Sequence, residues 1–512
     1  MAVDHFGLRL ASIARLLGSE RRIDRLLSLI LQSARELCGA DAGSIYVVEG
    51  EDAARRLRFK ITQNDSVAVD LREFVLPVDA TSMVGRCALE RGVVNVTDAY
   101  APGAAASHDR TVDERLGYRT RSIIAVPMVS ARDEVIGVVQ LINKKRRPAA
   151  PLRTPAAFET NVVAFGTRDE ERLLALAGQA GVSLENALLY DEIQRLFEGF
   201  VRASVQAIES RDPTTAGHSE RVATMTRELG RVVTLVENGP LAEVRFDDQD
   251  LREIEYAGLL HDFGKVGVRE HVLVKARKLY EKDRDLVLAR FAYFKKSLET
   301  DALERKLRLV TGRGPSASTD LAAIDDELRH RLREIDAHAQ FVLASNEPTV
   351  LAEGGFERLR DIAAIRWTDG DGVERPLLTP EEVETLSVRK GSLTVDERLQ
   401  IESHVVHTES FLRRIPWSRQ LREVPRIAGA HHEKLDGTGY PRKLRGAEIP
   451  VQSRMMTIAD IFDALTASDR PYKRALPTER ALDILAEEVR HGRCDTDLFH
   501  VFVEAKVWLT AP

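Results

Sequence analysis

Two adjacent polar pairs, His261-Asp262 and His431-His432, each close an apolar helical run, IEYAGLLHD in one case and VPRIAGAHH in the other. Such runs turn a face inward, where imidazole and carboxylate groups are costly unless a metal or an ion pair satisfies them. Any fold for this chain has to satisfy those groups internally. Imidazole nitrogens and carboxylate oxygens suit Fe, Mn or Zn rather than Mg or Ca alone. An aspartate beside a histidine can bridge two ions with its two oxygens, and ions roughly 3.5–4 Å apart can clamp a phosphate. The histidines that stand alone (His5, His108, His330, His338, His491 and His500) are read as structural or exposed.

A chain of 512 residues is too long for one core, and its length suggests roughly three structural units. Its net charge of -6 leaves no global footprint for a nucleic-acid polymer or an anionic membrane. Cys38, Cys87 and Cys494 are scattered outside any C-x-x-C spacing, which argues for a reducing compartment and against a disulfide frame. Residues 1–19 read as an amphipathic helix interrupted by Arg9 and Arg15, with neither the continuous core of a signal peptide nor the length of a membrane span. A cytoplasmic location is expected.

Residues 20–167 switch between helical and strand periods. A helix over 23–38 precedes strands SIYVVE and LRFKIT; SMVGRCALERG is helical, and VVNVTDAY, RSIIAVPMVS and EVIGVVQLINKK are further strands. The sum is an α+β domain with an antiparallel sheet flanked by helices, and the Pro/Ala-rich segment 146–158 is expected to be a surface loop. Residues 168–207 hold the longest helical pattern, with Leu173, Leu176, Ala180, Leu184, Ala187 and Leu188 near a three-four spacing. That stripe fits either a dimeric coiled coil or a helix packed on its own domain; its place between two domain-like regions favours a connector helix over 168–200 and, through it, a homodimer. Residues 201–512 read as all-α, interrupted by 276–392. Two charged stretches there, 281–310 and 319–346, flank GRGPSAS and predict an antiparallel helical hairpin with a turn-rich return, WTDGDGVERP.

GHSER (217–221), HDFGK (261–265), IESHVVHTESFL, HHEKLDGTGYP (431–441) and MMTIADIFDALTASDRPYK together resemble the HD-GYP subgroup of the HD phosphohydrolase superfamily. The resemblance covers about 200–275 and 393–505. It implies a phosphodiesterase domain over 201–512 with two divalent metal ions, Fe or Mn foremost and Zn, Ni or Co as alternatives. His218, His261, Asp262 and Asp460 would hold one ion, and Asp262, His404, His431 and His432 the other. Asp262 would bridge them as a catalytic group, and Lys265 would neutralise a phosphate oxygen or assist the leaving group. Gly437 and Gly439 would place Tyr440 and Pro441 at the mouth of the pocket, Arg470 and Lys473 would take a second phosphate, and Glu433 and Asp463 would orient ligands.

The substrate so implied is cyclic di-GMP, a bacterial second messenger. Some family members carry a glutamate four residues before the first histidine, supplying a third metal; Thr214 stands there instead, which favours two ions and the linear product pGpG. The 276–392 insertion falls between two ligand-bearing helices; it fits a pocket cover, a dimerisation arm, a partner site or a tolerated surface insertion. Three alternatives stay open: a phosphodiesterase for another cyclic dinucleotide, a catalytically idle receptor or interaction module, and a nucleotide phosphohydrolase of the wider HD group. The GYP string argues against the last.

Helix, alternating strands, VTDAY, RSIIAVPM and VIGVVQLINK resemble a GAF domain over roughly 20–190, which implies sensing of a small molecule or redox state, or dimerisation. Asn143, Lys144, Phe165, Asp169 and Glu170 resemble the N-K…F-x-x-x-D-E pattern of cyclic-nucleotide-binding GAF domains. The same residues could serve only to brace the fold. No Cys or His cluster there suggests a haem or iron–sulfur sensor.

Overall fold

Strand alternation and the long helical pattern both reappear in the computed structural model, which describes residues 5–50, 54–69, 72–101, 113–114, 117–211, 216–313, 318–350, 354–369, 371–467 and 475–511. The chain divides into two units, Met1–Glu198 and Gly199–Pro512. No helix among the described residues is long and apolar enough to cross a membrane.

The first unit runs α1 (His5–Ser19), α2 (Ile23–Cys38), β1 (Ala40–Glu49), β2 (Arg56–Asn64), β3 (Val75–Pro77), α3 (Met83–Glu90), β4 (Val94–Val96), β5 (Ile123–Val129), β6 (Val135–Lys145), α4 (Pro155–Asn161) and β7 (Val162–Val163), and then enters α5 (Thr167–Glu209). The sheet has the order β3-β2-β1-β6-β5-β4, with β7 on β6 and every pairing antiparallel. Apolar residues of α2 meet the strand residues Ile45, Val126, Val139 and Leu141 in one core. A second core joins α3 to Tyr46, Phe59, Ala125 and Val138.

Two expectations change here. Leu173, Leu176, Ala180, Leu184 and Ala187 are at most 2% exposed within the first core, and Leu188 packs against it. The stripe expected to join two copies is thus satisfied by the domain's own sheet, since a three-four spacing fits either partner. The segment 146–158 is also less exposed than expected: Leu152 and Phe158 bury beside Ala42, Tyr118 and Val162.

The second unit is helical. Its elements are α6 (His218–Val233), α7 (Asp248–Leu260), a 3-10 turn (Phe263–Gly267), α8 (Glu270–Leu273), α9 (Glu281–Arg313), α10 (Ser318–Ser345), α11 (Gly355–Ala364), a ribbon of β8 (Arg366–Thr368) and β9 (Glu374–Pro376), α12 (Pro380–Leu386), α13 (Val395–Leu412), α14 (Val424–Ala428), α15 (Val451–Thr466), α16 (Thr478–Arg490) and α17 (Thr496–Glu504). Helices α9 and α10 form the expected hairpin, laced by Lys295–Asp336 and Arg305–Glu327 ion pairs at 2.6 and 3.0 Å. The return is more than turns: α11, the ribbon and α12 close a separate core with α9 and α10 around Phe291, Phe294, Leu359, Trp367 and Leu378.

Candidate metal centre

Five helical segments of the second unit each bring one piece of the site. Helix α6 opens on His218, and its first free N–H groups are taken by Glu209, whose carboxylate accepts from Gly217 N at 2.9 Å and Ser219 N at 3.0 Å. His261 caps the end of α7, and Asp262 begins the 3-10 turn. His404 lies in α13, His431-His432 follow α14, and Asp460 and Asp463 sit one turn apart in α15. A Cβ on Gly264 would lie 1.9 Å from His404 O, so only glycine lets the turn meet α13.

The histidines are oriented from behind. Nδ1 of His261, His404 and His431 pairs with the carbonyls of Gly258, Ile401 and Ala428 at 2.7, 2.6 and 2.6 Å. A carbonyl can only accept, so Nδ1 carries the proton and Nε2 presents a lone pair. All three Nε2 atoms are buried without a hydrogen-bond partner. Burial pushes the His261 and His431 imidazoles below their ordinary range and His432 down to about 4, keeping all three neutral. Such orphaned buried acceptors call for a cation.

The carboxylates complete the set. Asp262 Oδ1 lies 3.2 Å from His404 Nε2, while its Oδ2 lies 3.5 Å from His261 Nε2 and 3.9 Å from His218 Nε2. His218 Nε2 is also 3.2 Å from Asp460 Oδ1. Donor atoms of His218, His261 and Asp460 all fall within 4.8 Å of one another, as do those of His404, His431 and His432. Each oxygen of Asp262 therefore faces a different group of ligands. Burial raises the Asp262 carboxyl, but the neighbouring Lys265 ammonium foremost outweighs it and holds the group well below the usual range. Nitrogen donors and ionised oxygen donors gathered in this way suit divalent metal.

Asp463 takes the orienting place expected of it, accepting from His218 Nδ1 at 2.7 Å and from Arg221 Nε at 2.7 Å. Glu433 does not orient a ligand. Its two oxygens accept from Arg442 N at 2.7 Å and Leu444 N at 2.9 Å, so it pins the loop after Pro441 instead. Gly439 approaches the backbone of His432–Lys434 closely; a Cβ there would stand 2.4 Å from Lys434 N. Gly437 has φ +80°, which favours glycine. Together they bring Tyr440 over His432, ring centres 4.9 Å apart. A cavity of about 400 Å³ opens beside His432, Tyr440 and Asp460, with Ile461, Leu465 and Ile484 as its apolar wall and Lys434 and Glu488 among its lining. Lys265 Nζ rests 2.9 Å from Asp262 Oδ2. Thr214, Arg470 and Lys473 lie outside the described residues.

Two threonines were missed in the sequence. Thr408 Oγ1 donates to His261 O at 2.9 Å and accepts from Gly264 N at 2.8 Å, tying the His261-Asp262 turn to α13. Thr457 Oγ1 donates to His431 O at 2.7 Å from α15. Each sits one helical turn from a candidate ligand, Thr408 after His404 and Thr457 before Asp460, a spacing that places both on the ligand's face. Thr408→Val keeps the shape and removes both bonds; we expect a loss of about 1–3 kcal/mol in stability and weaker metal retention. Denaturant unfolding and metal content after dialysis read the two effects.

The five residues of the first unit's sequence pattern all have partners inside the domain. Asn143 accepts from Arg121 N at 2.7 Å and donates to Arg119 O at 2.8 Å. Lys144 pairs with Asp169, which also accepts from Gly166 N at 2.8 Å. Asn95 Nδ2 donates to Phe165 O at 3.0 Å and to Glu170 Oε1 at 2.7 Å. These bonds brace β6 and β4 against the start of α5.

Comparison with known proteins gives the class. A GAF-domain family model matches residues 22–184, and two HD-domain models match 215–341 and 377–498. The chain carries a GAF domain in its first unit and an HD region in its second. It is 42% identical over 117 residues to a protein of Vibrio cholerae named 3'3'-cGAMP-specific phosphodiesterase 3, a match covering 23% of this chain and 24% of that one. It is 37% identical over 123 residues to a cyclic di-GMP phosphodiesterase of Thermotoga maritima, covering 24% and 29%. The chain thus spans under a third of the length of these curated relatives. Among solved structures, the GAF domain of an Acinetobacter phosphoenolpyruvate-protein phosphotransferase aligns over 37% of this chain and 99% of that one, at 17% identity and a TM-score of 0.27.

Proposed function

We propose that this protein is a metal-dependent phosphodiesterase for a cyclic dinucleotide, with cyclic di-GMP as substrate and the linear dinucleotide pGpG as product. The observation that carries this reading is the trio of buried, unpartnered Nε2 atoms gathered around the two oxygens of Asp262. The names of the relatives support the substrate class. Two ions held there would supply the positive charge that activates a water and neutralises the phosphate under attack.

The chain's own residues do the rest. Asp262 offers one oxygen to each cluster, and the backbone carbonyls behind His261, His404 and His431 fix the ring directions. Lys265, already against Asp262, is placed to accompany the negative charge that develops on phosphate. Tyr440 and the apolar wall of the neighbouring cavity offer a surface for a flat base, which orients the phosphodiester and excludes bulk water. Arg470 and Lys473 are the proposed holders of the second phosphate. We further propose Fe or Mn as the ions, two rather than three because Thr214 offers no carboxylate, and a regulatory role for the GAF domain.

The test is to incubate the full chain, loaded with Fe(II) or Mn(II), with cyclic di-GMP, 3'3'-cGAMP and cyclic di-AMP, and to resolve the products by chromatography. Turnover of cyclic di-GMP to pGpG that chelation abolishes is expected. Tight binding without turnover in both metal forms contradicts the reading and marks a receptor. Preference for the mixed dinucleotide corrects the substrate alone.

A further inference from the structure

The cavity beside the metal centre has apolar walls and one charged pair that the reaction does not use. Ile461, Ala464 and Leu465 share a face of α15 with Asp460, and Ile484 and Glu488 stand one turn apart on α16. The space of about 400 Å³ that they line is in the range of small-molecule sites. Lys434, two residues after His432, brings its Nζ to 3.1 Å from Glu488 Oε2, and Arg493 Nη1 donates to Glu488 Oε1 at 3.0 Å. The Lys434 and Glu488 side chains are 33% and 23% exposed, so neither is sealed. A carboxylate has about four acceptor positions and an ammonium three donors. Among the described residues these contacts take one position on each oxygen and one ammonium hydrogen, which leaves both groups able to bond a ligand.

We propose that this pair makes the cavity a guanine seat, with Lys434 donating to O6 of the base and the two oxygens of Glu488 accepting from its N1–H and N2 amino groups. The seat rests on the reading of the site as a cyclic dinucleotide phosphodiesterase. Along one edge guanine presents an acceptor followed by two donors, and an ammonium beside a carboxylate is the complement of that order. Adenine presents an amino donor and then a bare ring nitrogen. Its amino group would meet the ammonium and its N1 lone pair would meet a carboxylate oxygen, so both contacts repel. Tyr440 and the apolar walls take the faces of the base, and His432 and Asp460 in the same lining set it beside the metal centre. A single seat of this kind needs one guanine per substrate. Cyclic di-GMP and 3'3'-cGAMP both supply one; cyclic di-AMP does not.

Equilibrium binding of the linear dinucleotides pGpG and pApA to the Mn(II)-loaded full chain tests the seat, read beside turnover of cyclic di-GMP, 3'3'-cGAMP and cyclic di-AMP. The native chain should bind pGpG at least ~10-fold more tightly than pApA, and cyclic di-AMP should be the poorest substrate. Glu488→Gln replaces one acceptor by an amide donor, the pattern that suits adenine, and should erase or invert the preference. Lys434→Met should weaken pGpG and leave pApA unchanged. Both side chains reach solvent, so both variants should keep the native circular dichroism; Lys434→Met decides the matter should Glu488→Gln not fold. A carboxylate that only braces Lys434 and Arg493 would lower both affinities alike in Glu488→Gln. That result overturns the seat, as does equal binding of pGpG and pApA by the native chain. Base preference in binding without turnover keeps the seat and removes the reaction; turnover without base preference does the reverse.

Discussion

Asp262→Asn is expected to lower turnover of a cyclic dinucleotide by about 10³-fold or more while leaving the fold intact. The substitution keeps the size of the side chain and removes its charge. In the native chain Lys265, 2.9 Å away, stabilises the ionised form of Asp262. An amide presents one oxygen instead of two, so it can face the His404 side at 3.2 Å or the His261 side at 3.5 Å, but not both. Metal content should fall together with activity. Because Lys265 loses its charged partner, thermal stability in the presence of chelator should fall as well. Full activity in this variant would remove Asp262 from the site.

The second large effect lies at Glu397, where the inserted arm leaves and rejoins the helical unit. Its carboxylate accepts from Lys275 Nζ at 2.6 Å, from Tyr280 OH at 2.6 Å and from Thr394 N at 2.9 Å, so one side chain ties both ends of the arm to the start of α13. The Lys275 and Glu397 side chains are only 3% and 13% exposed. Removing one partner of such a pair strands the other, and Glu397→Ala should cost about 3–5 kcal/mol, seen as an earlier denaturant midpoint. The pair also predicts a pH dependence. Burial raises the Glu397 carboxyl, but Lys275 and Tyr280 outweigh it and hold the group below its ordinary 4.5. Stability from this contact is therefore complete above 4.5 and is lost as the pH falls below that value. Glu397→Ala should flatten this acid limb of the stability profile; an unchanged limb would show that the clasp carries no charge.

Much of this was legible in the chain because ligand types leave a dense local signal. His261-Asp262 and His431-His432 are adjacent in sequence, and Gly264, Gly437 and Gly439 mark places where backbone or side chains leave no room for a Cβ. The strands of the first unit were legible for a similar reason, since residues such as Ile123 to Met128 are continuously apolar and buried. What failed was the choice of partner for a face. The stripe on helix α5 has a spacing that fits a partner helix or its own sheet, and periodicity does not say which one it meets. Thr408 and Thr457 were missed because a helical threonine commonly bonds its own helix, as Thr457 also does with Ser453 O at 2.9 Å. The arm's small core was hidden because Trp367 and Leu378 are separated from Phe291 and Phe294 by some seventy to ninety residues, and no local pattern links them.

The most direct test of the central claim is a titration of Mn(II) into metal-stripped full-length protein, following cyclic di-GMP turnover and bound metal in the same samples. Turnover should be absent without metal and should saturate as the second ion binds per chain. Turnover that persists in the stripped protein, or that is complete with one ion bound, would contradict a two-ion centre built on Asp262.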